Sequence, residues 1–467
     1  MTITKLFAAE ALLPEGWRKN VLIEIEGDFI KSVASGLSDA GPEGAERVGG
    51  PLIPGMCNVH SHAFQRAMAG LTERSGPGGD NFWAWRELMY RFLERITPED
   101  NEVVATQLYI EMLKSGYTSV AEFHYLHRDE HGHAYANPAE MAERIMAAAN
   151  TTRIGLTLLP VLYAHATFGG VAPNAGQKRF IHDVDTFNAL VDNLFSHQNT
   201  RRYHGTLRRV GIAPHSLRAV TPPELKSIVA HLESIDATAP IHIHAAEQLK
   251  EVNDCLMWSH KRPVAWLLDN MPLNERWCLV HATHLDDDET FRLAKSGAVA
   301  GLCPSTEANL GDGIFNAPDY FLQNGRWAIG GDSHVGVDPF RELAVIEYAQ
   351  RLKSARRNIL NTPGVASIGG GLYRQALAGG AQASGQRIGS IAAQCRADLV
   401  VMNGDDVALV EHEGDALLDA AIFGPARCPV RDVMAGGAWV VREGRHAHEQ
   451  PALAKYRATL KRLLLVH

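Results

Sequence analysis

Eight short apolar runs that end in ionisable or polar side chains constrain this chain more than any other feature. They read PLIPGMCNVH, GYTSVAEFHY, RIGLTLLPVLY, RRVGIAPH, APIHIHAAE, RWCLVHATH, GAVAGLCPS and RWAIGGDSH. Between them lie longer stretches with helical periodicity, among them PEDNEVVATQLYIEMLKSG, PAEMAERIMAAANTT, TPPELKSIVAHLESI and DPFRELAVIEYAQRLKSARRN. The first of these has Pro98 near its start, acids in its first turn and Gly116 just past its end, the expected punctuation of a helix. Buried β runs alternating with helices require a parallel sheet, and eight such units predict a closed α/β barrel of the (β/α)8, TIM type.

The 467 residues exceed one small core, but such a barrel absorbs over 250 of them as a single unit. The ends read differently. NVLIEIEGDFIKSVASG alternates apolar and polar residues around a Gly-Asp turn, and GSIAAQCRADLVVMNGDD and VRDVMAGGAWVVREGRH do the same near the other terminus. A small β-sandwich domain built from residues 1–55 and 376–450 is therefore expected, with the barrel over 56–375. A C-terminal helix is expected over 451–467, where apolar residues recur at helical spacing.

Charge and cysteine content exclude several functions. A net charge of −8 offers no basic excess to neutralise phosphates, so no nucleic-acid partner is expected. No apolar stretch approaches the roughly 20 residues of a membrane span, and the first residues lack the apolar core of a signal peptide. Six cysteines lie far apart with no CxxC, the pattern of free thiols in a reducing cytoplasm.

The polar strand ends then carry the chemistry. In a barrel they share the C-terminal rim, where barrel active sites lie. His60 and His62, two residues apart on a strand, point to one side. Imidazole is the commonest zinc ligand, and two further ligands would complete a site that keeps a position open for water. His244 and Asp332 are the candidates. His242 also stands two residues from His244, but the acid three residues beyond His244, Glu247, favours His244, because a catalytic acid must lie beside the water. The second HxH, His131 and His133, sits in the charged, turn-rich HRDEHGHAYANP and is expected to be a loop without a metal. His284 is expected at a helix entry or on the surface.

With HSH after the first strand, HAAE after the fifth, VHATH after the sixth and GGDSH after the eighth, the chain resembles the amidohydrolase superfamily, and its single-metal deaminase branch most closely. The lysine that bridges two metals in other branches is missing from GIAPHSLRAV. NVHSHAFQRAMAG, DNFWAWRELMY and CPSTEANLGDG make the sequence most similar, within that branch, to the formimidoylglutamate deiminase family. The resemblance implies one divalent metal on His60, His62, His244 and Asp332, zinc by default, with iron(II) suited to the same donor set. It implies hydrolysis of the C=N group of N-formimino-L-glutamate to N-formyl-L-glutamate and ammonia, a step of histidine breakdown. Asp332 and His281 would take and orient the water proton, and Glu247 would protonate the departing nitrogen.

A small anionic substrate with two carboxylates needs cations. Arg86 and Arg218 are the expected carboxylate clamps, with Gln65, Tyr125 and His215 adding hydrogen bonds. Arg66 is expected to point outward or stand behind the site. Glu307 and Asn309 either touch the imine end of the substrate or shape their loop. Two alternatives share parts of this pattern: a purine or nucleoside deaminase with the same metal and acid, and an inactive barrel acting as a scaffold. Barrels with a flanking β domain often dimerise, so a homodimer is one assembly open to this chain.

Overall fold

The computed structural model describes residues 3–73, 82–198, 206–361, 364–425 and 427–464, with the side chains of 82–84 and 207 outside that description. The eight barrel strands are Met56–Ser61, Tyr117–His124, Gly155–Leu162, Leu207–Val210 continued by Ala213–Pro214, Ile241–Ala245, Trp277–His281, Val299–Leu302 and Arg326–Ile329. Each pairs in parallel with its neighbour inside two half-sheets. Two seams join the halves. Ile212 bridges Ile241 and Ser216 bridges His244 on one side, and Ser61 bridges Asp332 on the other. The second seam brings the first and last strands together through Asp332 N–H to His60 O at 2.9 Å and His62 N–H to Asp332 O at 3.2 Å. Ring closure therefore sets the distance between two of the expected metal-binding segments.

Glycine makes that approach possible. A Cβ on Gly330 would lie 2.8 Å from His60 Cβ and 3.0 Å from Cys303 Sγ. One on Gly331 would lie 2.6 Å from His334 Nδ1. The pair of glycines before Asp332 thus lets the eighth strand lie against the first.

Helices cover the barrel. Pro98–Ser115 starts at Thr97, whose hydroxyl accepts from Asp100 N–H while the Asp100 carboxylate accepts from Thr97 N–H at 2.9 Å. It ends at Gly116 with φ 101°, a left-handed cap that costs a glycine little. Glu140–Thr152, Pro222–Ile235 and Pro339–Ser354 fill the other expected helical stretches. The expected barrel boundary at 375 falls inside a helix, Ile368–Ser384. This helix packs on the barrel's N-terminal end, where Ala383 O accepts from His242 Nε2 at 2.8 Å and Gly380 lies against Cys57.

Strands from both chain ends form one nine-stranded sheet. Its hydrogen-bonded order is Arg445–His446, Ala438–Arg442, Val430–Ala435, Leu399–Met402, Leu52–Pro54, Ile3–Leu13, Gly16–Glu26, Phe29–Ala34, with Glu46–Arg47 beside Ile3–Leu13. The C-terminal helix is Glu449–Leu464; residues 465–467 lie outside the described residues. The cysteines are free thiols, with Cys57, Cys255, Cys278 and Cys303 buried. No described helix is long and apolar enough to cross a membrane.

Candidate active site

A cavity of about 540 Å3, measured out to its open mouth, sits over the C-terminal ends of the barrel strands. His62, Gln65, Arg86, Tyr125, His215, Arg218, His244, Glu247, His281 and Asp332 line it, and His60 lies directly beneath. The structure therefore brings together all the residues that sequence reasoning assigned to ligands, catalysis and substrate. Trp85, Met89, Tyr90, Tyr163, Phe180 and Leu310 complete the wall and were not foreseen. The first two residues of DNFWAWRELMY, 80–81, fall outside the described residues.

Donor atoms of His62, His244 and Asp332 gather around that of His60 at the cavity floor. His60 Nε2 lies 3.1 Å from both His62 Nε2 and His244 Nε2. Asp332 Oδ1 lies 3.4 Å from His60 Nε2 and 3.3 Å from His62 Nε2. A tetrahedral ion with bonds of about 2.0–2.1 Å has ligand atoms about 3.3–3.4 Å apart, so the spacings among His60, His62 and Asp332, and from His60 to His244, are those of ligands that share an ion. Backbone carbonyls set two of the three tautomers, while His60 Nδ1 is buried without a partner. His62 Nδ1 donates to Phe123 O at 2.9 Å and His244 Nδ1 donates to His215 O at 3.0 Å, because a carbonyl can only accept. Neutral rings held this way turn their Nε2 lone pairs inward, the outer-shell pattern of metal-bound histidine. Mutual lone-pair repulsion in a buried pocket is relieved by a cation, and the donor set fits a divalent metal.

Burial keeps these rings neutral: it pushes His60 down to about 3 and lowers His62 and His244 as well, with neighbouring imidazoles adding to the effect. Asp332 is also buried, which favours its neutral form, but the bond to His60 and the facing His62 and His281 outweigh this and hold its carboxyl below the usual range. The floor thus presents three neutral nitrogens and one carboxylate.

Above it stand two further ionisable groups. His281 Nε2 lies 3.8 Å from Glu247 Oε1, and the His281 ring stacks on that of His244 with centroids 5.5 Å apart. Burial would lower the His281 pKa, but Glu247, Glu307 and Asp332 outweigh it and raise it to about 10. Burial raises Glu247, partly opposed by His281 and Arg218, so its carboxyl holds a proton more readily than an exposed glutamate. Arg218 Nη2 donates to Glu247 Oε2 at 3.2 Å, and Arg218 Nε is buried without a hydrogen-bond partner. Gln65 Nε2 donates to the Tyr125 hydroxyl at 2.9 Å. Arg86, on the helix Phe82–Leu93, holds its guanidinium carbon 5.7 Å from the centre of the Tyr90 ring.

Other expected residues fall elsewhere. His131 and His133 are exposed on a turn around Asp129. His242 points into the barrel but toward its opposite end, where it meets Ala383 O. His284 is half-buried and bonded to Asp312 O. Arg66 stands behind the site, joining Glu111 at 2.8 Å to His334 O at 2.8 Å. Asn309 is exposed and donates to Glu73, whereas Glu307 is buried against His281 Nδ1 at 3.2 Å. Sequence reasoning missed a network behind the HxH pair. Ser61 Oγ donates to Glu122 at 2.6 Å and meets His334 Nε2 at 2.9 Å, while Ala63 N–H and the Tyr109 hydroxyl also donate to Glu122. The polar strand-end residue Glu122 was its only visible trace.

Comparison with known proteins gives the family and the fold. Residues 52–440 match the amidohydrolase family, and residues 3–49 match the N-terminal domain of formimidoylglutamate deiminase HutF. The formimidoylglutamate deiminase of Pseudomonas aeruginosa is 52% identical over 99% of this chain and 100% of its own length. An 8-oxoguanine deaminase from the same organism is 27% identical over 91% of this chain and 90% of its own. The crystal structure of an amidohydrolase from Brucella melitensis superposes with a TM-score of 0.92 at 46% identity, over 99% of this chain and 100% of that one. A zinc-bound adenosine deaminase from Xanthomonas campestris shares the fold, with a TM-score of 0.81 at 21% identity over 99% of both chains.

Proposed function

The chain belongs to the amidohydrolase family, and we propose that it catalyses the metal-dependent hydrolytic deimination of N-formimino-L-glutamate, releasing ammonia and N-formyl-L-glutamate in the breakdown of histidine. The observation that carries this reading is one cavity with a four-donor metal floor and two guanidiniums, Arg86 and Arg218, in its wall. A dianionic substrate with a reactive C=N end fits that division. The 52% identity to a formimidoylglutamate deiminase over the full chain supports the same substrate.

A divalent ion, zinc in the first instance, held by His60, His62, His244 and Asp332 would supply Lewis acidity and bring the pKa of water from 15.7 to about 7. The chain's own groups do the rest. Arg86 and Arg218 pair with the two carboxylates, and Gln65, Tyr125 and His215 orient the substrate beside them. Asp332 receives the proton of the attacking water, and His281 hydrogen-bonds that water and orients it. Water oxygen adds to the formimino carbon. Glu247, whose burial favours its protonated form, delivers a proton to the terminal nitrogen, the proton taken from water follows it, and the adduct hydroxyl gives its own proton back to Glu247 as the carbonyl forms and ammonia leaves. General acid–base help of this kind is worth typically 10²–10⁴-fold.

Purified protein should contain about one equivalent of metal and convert N-formimino-L-glutamate to equal amounts of ammonia and N-formyl-L-glutamate. Metal-replete protein that released formamide and glutamate, or that turned over a purine faster, would overturn the assignment.

A further inference from the structure

Arg179 is 2% exposed, and its guanidinium donates to carbonyls and a phenol. Nε donates to Arg128 O at 2.9 Å, Nη1 to Ile96 O at 2.8 Å and also to Leu93 O, and Nη2 to the Tyr135 hydroxyl at 3.5 Å. Burying a cation on such partners is costly, and here the cost ties together three segments around the barrel mouth. Leu93 is the last residue of the helix Phe82–Leu93, and carbonyls at a helix end carry partial negative charge and lack partners within the helix. Arg128 follows the second barrel strand, and its N–H and that of His127 each donate to Arg179 O at 3.0 Å. Phe180, next in the chain after Arg179, lines the cavity with its ring 4.9 Å from Tyr125 and 6.0 Å from Tyr90.

The same helix carries Arg86 into the cavity wall. Arg86, Tyr90 and Leu93 are spaced i, i+4 and i+7, so they share one face, and Arg86 lies two turns, about 10 Å, from the anchored end. Met89, Tyr90 and Leu93 are buried, but apolar packing is non-directional and sets neither the rotation of a helix nor its position along its axis. Hydrogen bonds do. The segment before Arg179 packs closely against the same face, since a Cβ on Gly176 would lie 2.5 Å from Tyr90 Cδ2. We propose that Arg179 is a positioning residue for substrate selection: it pins the C-terminal end of Phe82–Leu93 to the barrel mouth, so that Arg86, two turns back, stands where a substrate carboxylate can reach it. The inference rests on the reading of Arg86 as a carboxylate clamp. Such a clamp holds substrate and transition state alike, so displacing it raises KM and spares kcat.

The test uses zinc-loaded wild type, R179M, R86A and the double variant. R179M keeps an unbranched stem but donates nothing. It should raise KM for N-formimino-L-glutamate about tenfold, with kcat within about threefold and zinc unchanged. In the R86A background, where no clamp is left to misplace, the same change should add less than about twofold. Amide hydrogen exchange should quicken over residues 82–96 in R179M and stay at the wild-type rate in the barrel strands. R179K keeps the charge without the fork and should show the same split at smaller amplitude; it carries the test if R179M does not fold. An equal rise in KM in both backgrounds overturns the proposal, as does an unchanged KM or unaltered exchange over 82–96. Loss of zinc and kcat together also overturns it, since that marks a merely structural role. If R86A itself leaves KM unchanged, the clamp reading falls and the proposal with it. If wild type fails to act on N-formimino-L-glutamate, the substrate assignment falls, while exchange still decides whether Arg179 holds the helix.

Discussion

Replacing Glu247 with glutamine separates proton transfer from everything else this side chain does. The two groups have nearly the same shape, so the amide in E247Q would keep an oxygen for Arg218 Nη2 at the present 3.2 Å. The main-chain anchor is also kept, because it runs from Glu247 N–H to Glu251 at 3.1 Å and does not involve the side chain. His60 Nε2 touches the ligand atoms of His62, His244 and Asp332, and the swap leaves all four of these side chains in place, so metal should stay at the wild-type ratio. What disappears is a buried carboxyl able to hold and release a proton beside the leaving nitrogen. Loss of general acid–base help alone costs about 10²–10⁴ in kcat, or about 2.7–5.5 kcal/mol of barrier. E247D retains the proton but draws the carboxyl back by one methylene, and should fall between the two. Ammonia release under saturating substrate, metal content by atomic absorption and thermal unfolding together make the assay. E247Q protein with full metal, an unchanged unfolding temperature and turnover within about tenfold of wild type would remove Glu247 from the mechanism.

Three further outcomes follow from the same geometry. R218A should lower kcat/KM at least about tenfold, about 1.4 kcal/mol, mainly through KM and with metal unchanged; a fall in bound metal would show that Arg218 supports the ligands instead of the substrate. G331A should cost about 1–3 kcal/mol and reduce metal occupancy, because its new methyl would sit 2.6 Å from His334 Nδ1 at the seam carrying Asp332, and a fully loaded, equally stable variant would refute the close-approach argument. Acid should destabilise the fold through buried imidazoles outside the metal-binding set: burial pushes His242 down to about 4 and His124 to about 3. Their contribution to stability is complete above the unfolded value of about 6.5 and is lost as pH falls toward those folded values, by up to about 1.4 kcal/mol per pH unit for each ring. H242Q, whose amide can still donate to Ala383 O, should flatten the urea-measured slope between about pH 5.5 and 4.5 by about that amount, and an unchanged slope would refute it.

The barrel was legible because its strands are buried on both faces and so stand out as unbroken apolar runs between amphipathic helices. The gathering of His60, His62, His244 and Asp332 was legible because the strand period makes i and i+2 neighbours, and because a closed ring places every strand's C-terminal end on one rim. Contacts between strands left weaker traces. Glu307 could be seen at a strand end, but its partnership with His281 depends on the register between the sixth and seventh strands, which no local pattern reveals. Ser61 reads as a spacer between two histidines, yet its hydroxyl ties the first strand to Glu122 on the second and His334 after the eighth. The helix Ile368–Ser384 was hidden for the opposite reason. Its sequence, IGGGLYRQALAGGAQAS, has five glycines that argue against a helix by propensity. Packing overrides that, since Gly379 and Gly380 leave room for the Trp327 carbonyl and Cys57 at the barrel end.

Those hidden contacts explain where the fold spends stability. Ala246, His281, Ala282, Asp332 and His334 all have positive φ, and all lie just beyond or at the C-terminal end of the fifth, sixth or eighth barrel strand. Non-glycine residues in that region cost of order 1–3 kcal/mol each and persist only where surrounding bonds over-determine them. Here the bonds are present: Ala246 N–H to Glu251, Ala282 N–H to Ala245 O, Asp332 N–H to His60 O and His334 N–H to Gly331 O. A strand continuing in extended conformation would carry its next side chains alternately in and out along the barrel axis. Turning left-handed at its end instead swings Asp332 across the rim to His60 and His62, and turns His281 to face Glu247. Relaxing that turn would move Asp332 or His281 away from the common centre, so the conformational cost and the convergence of the site have the same origin.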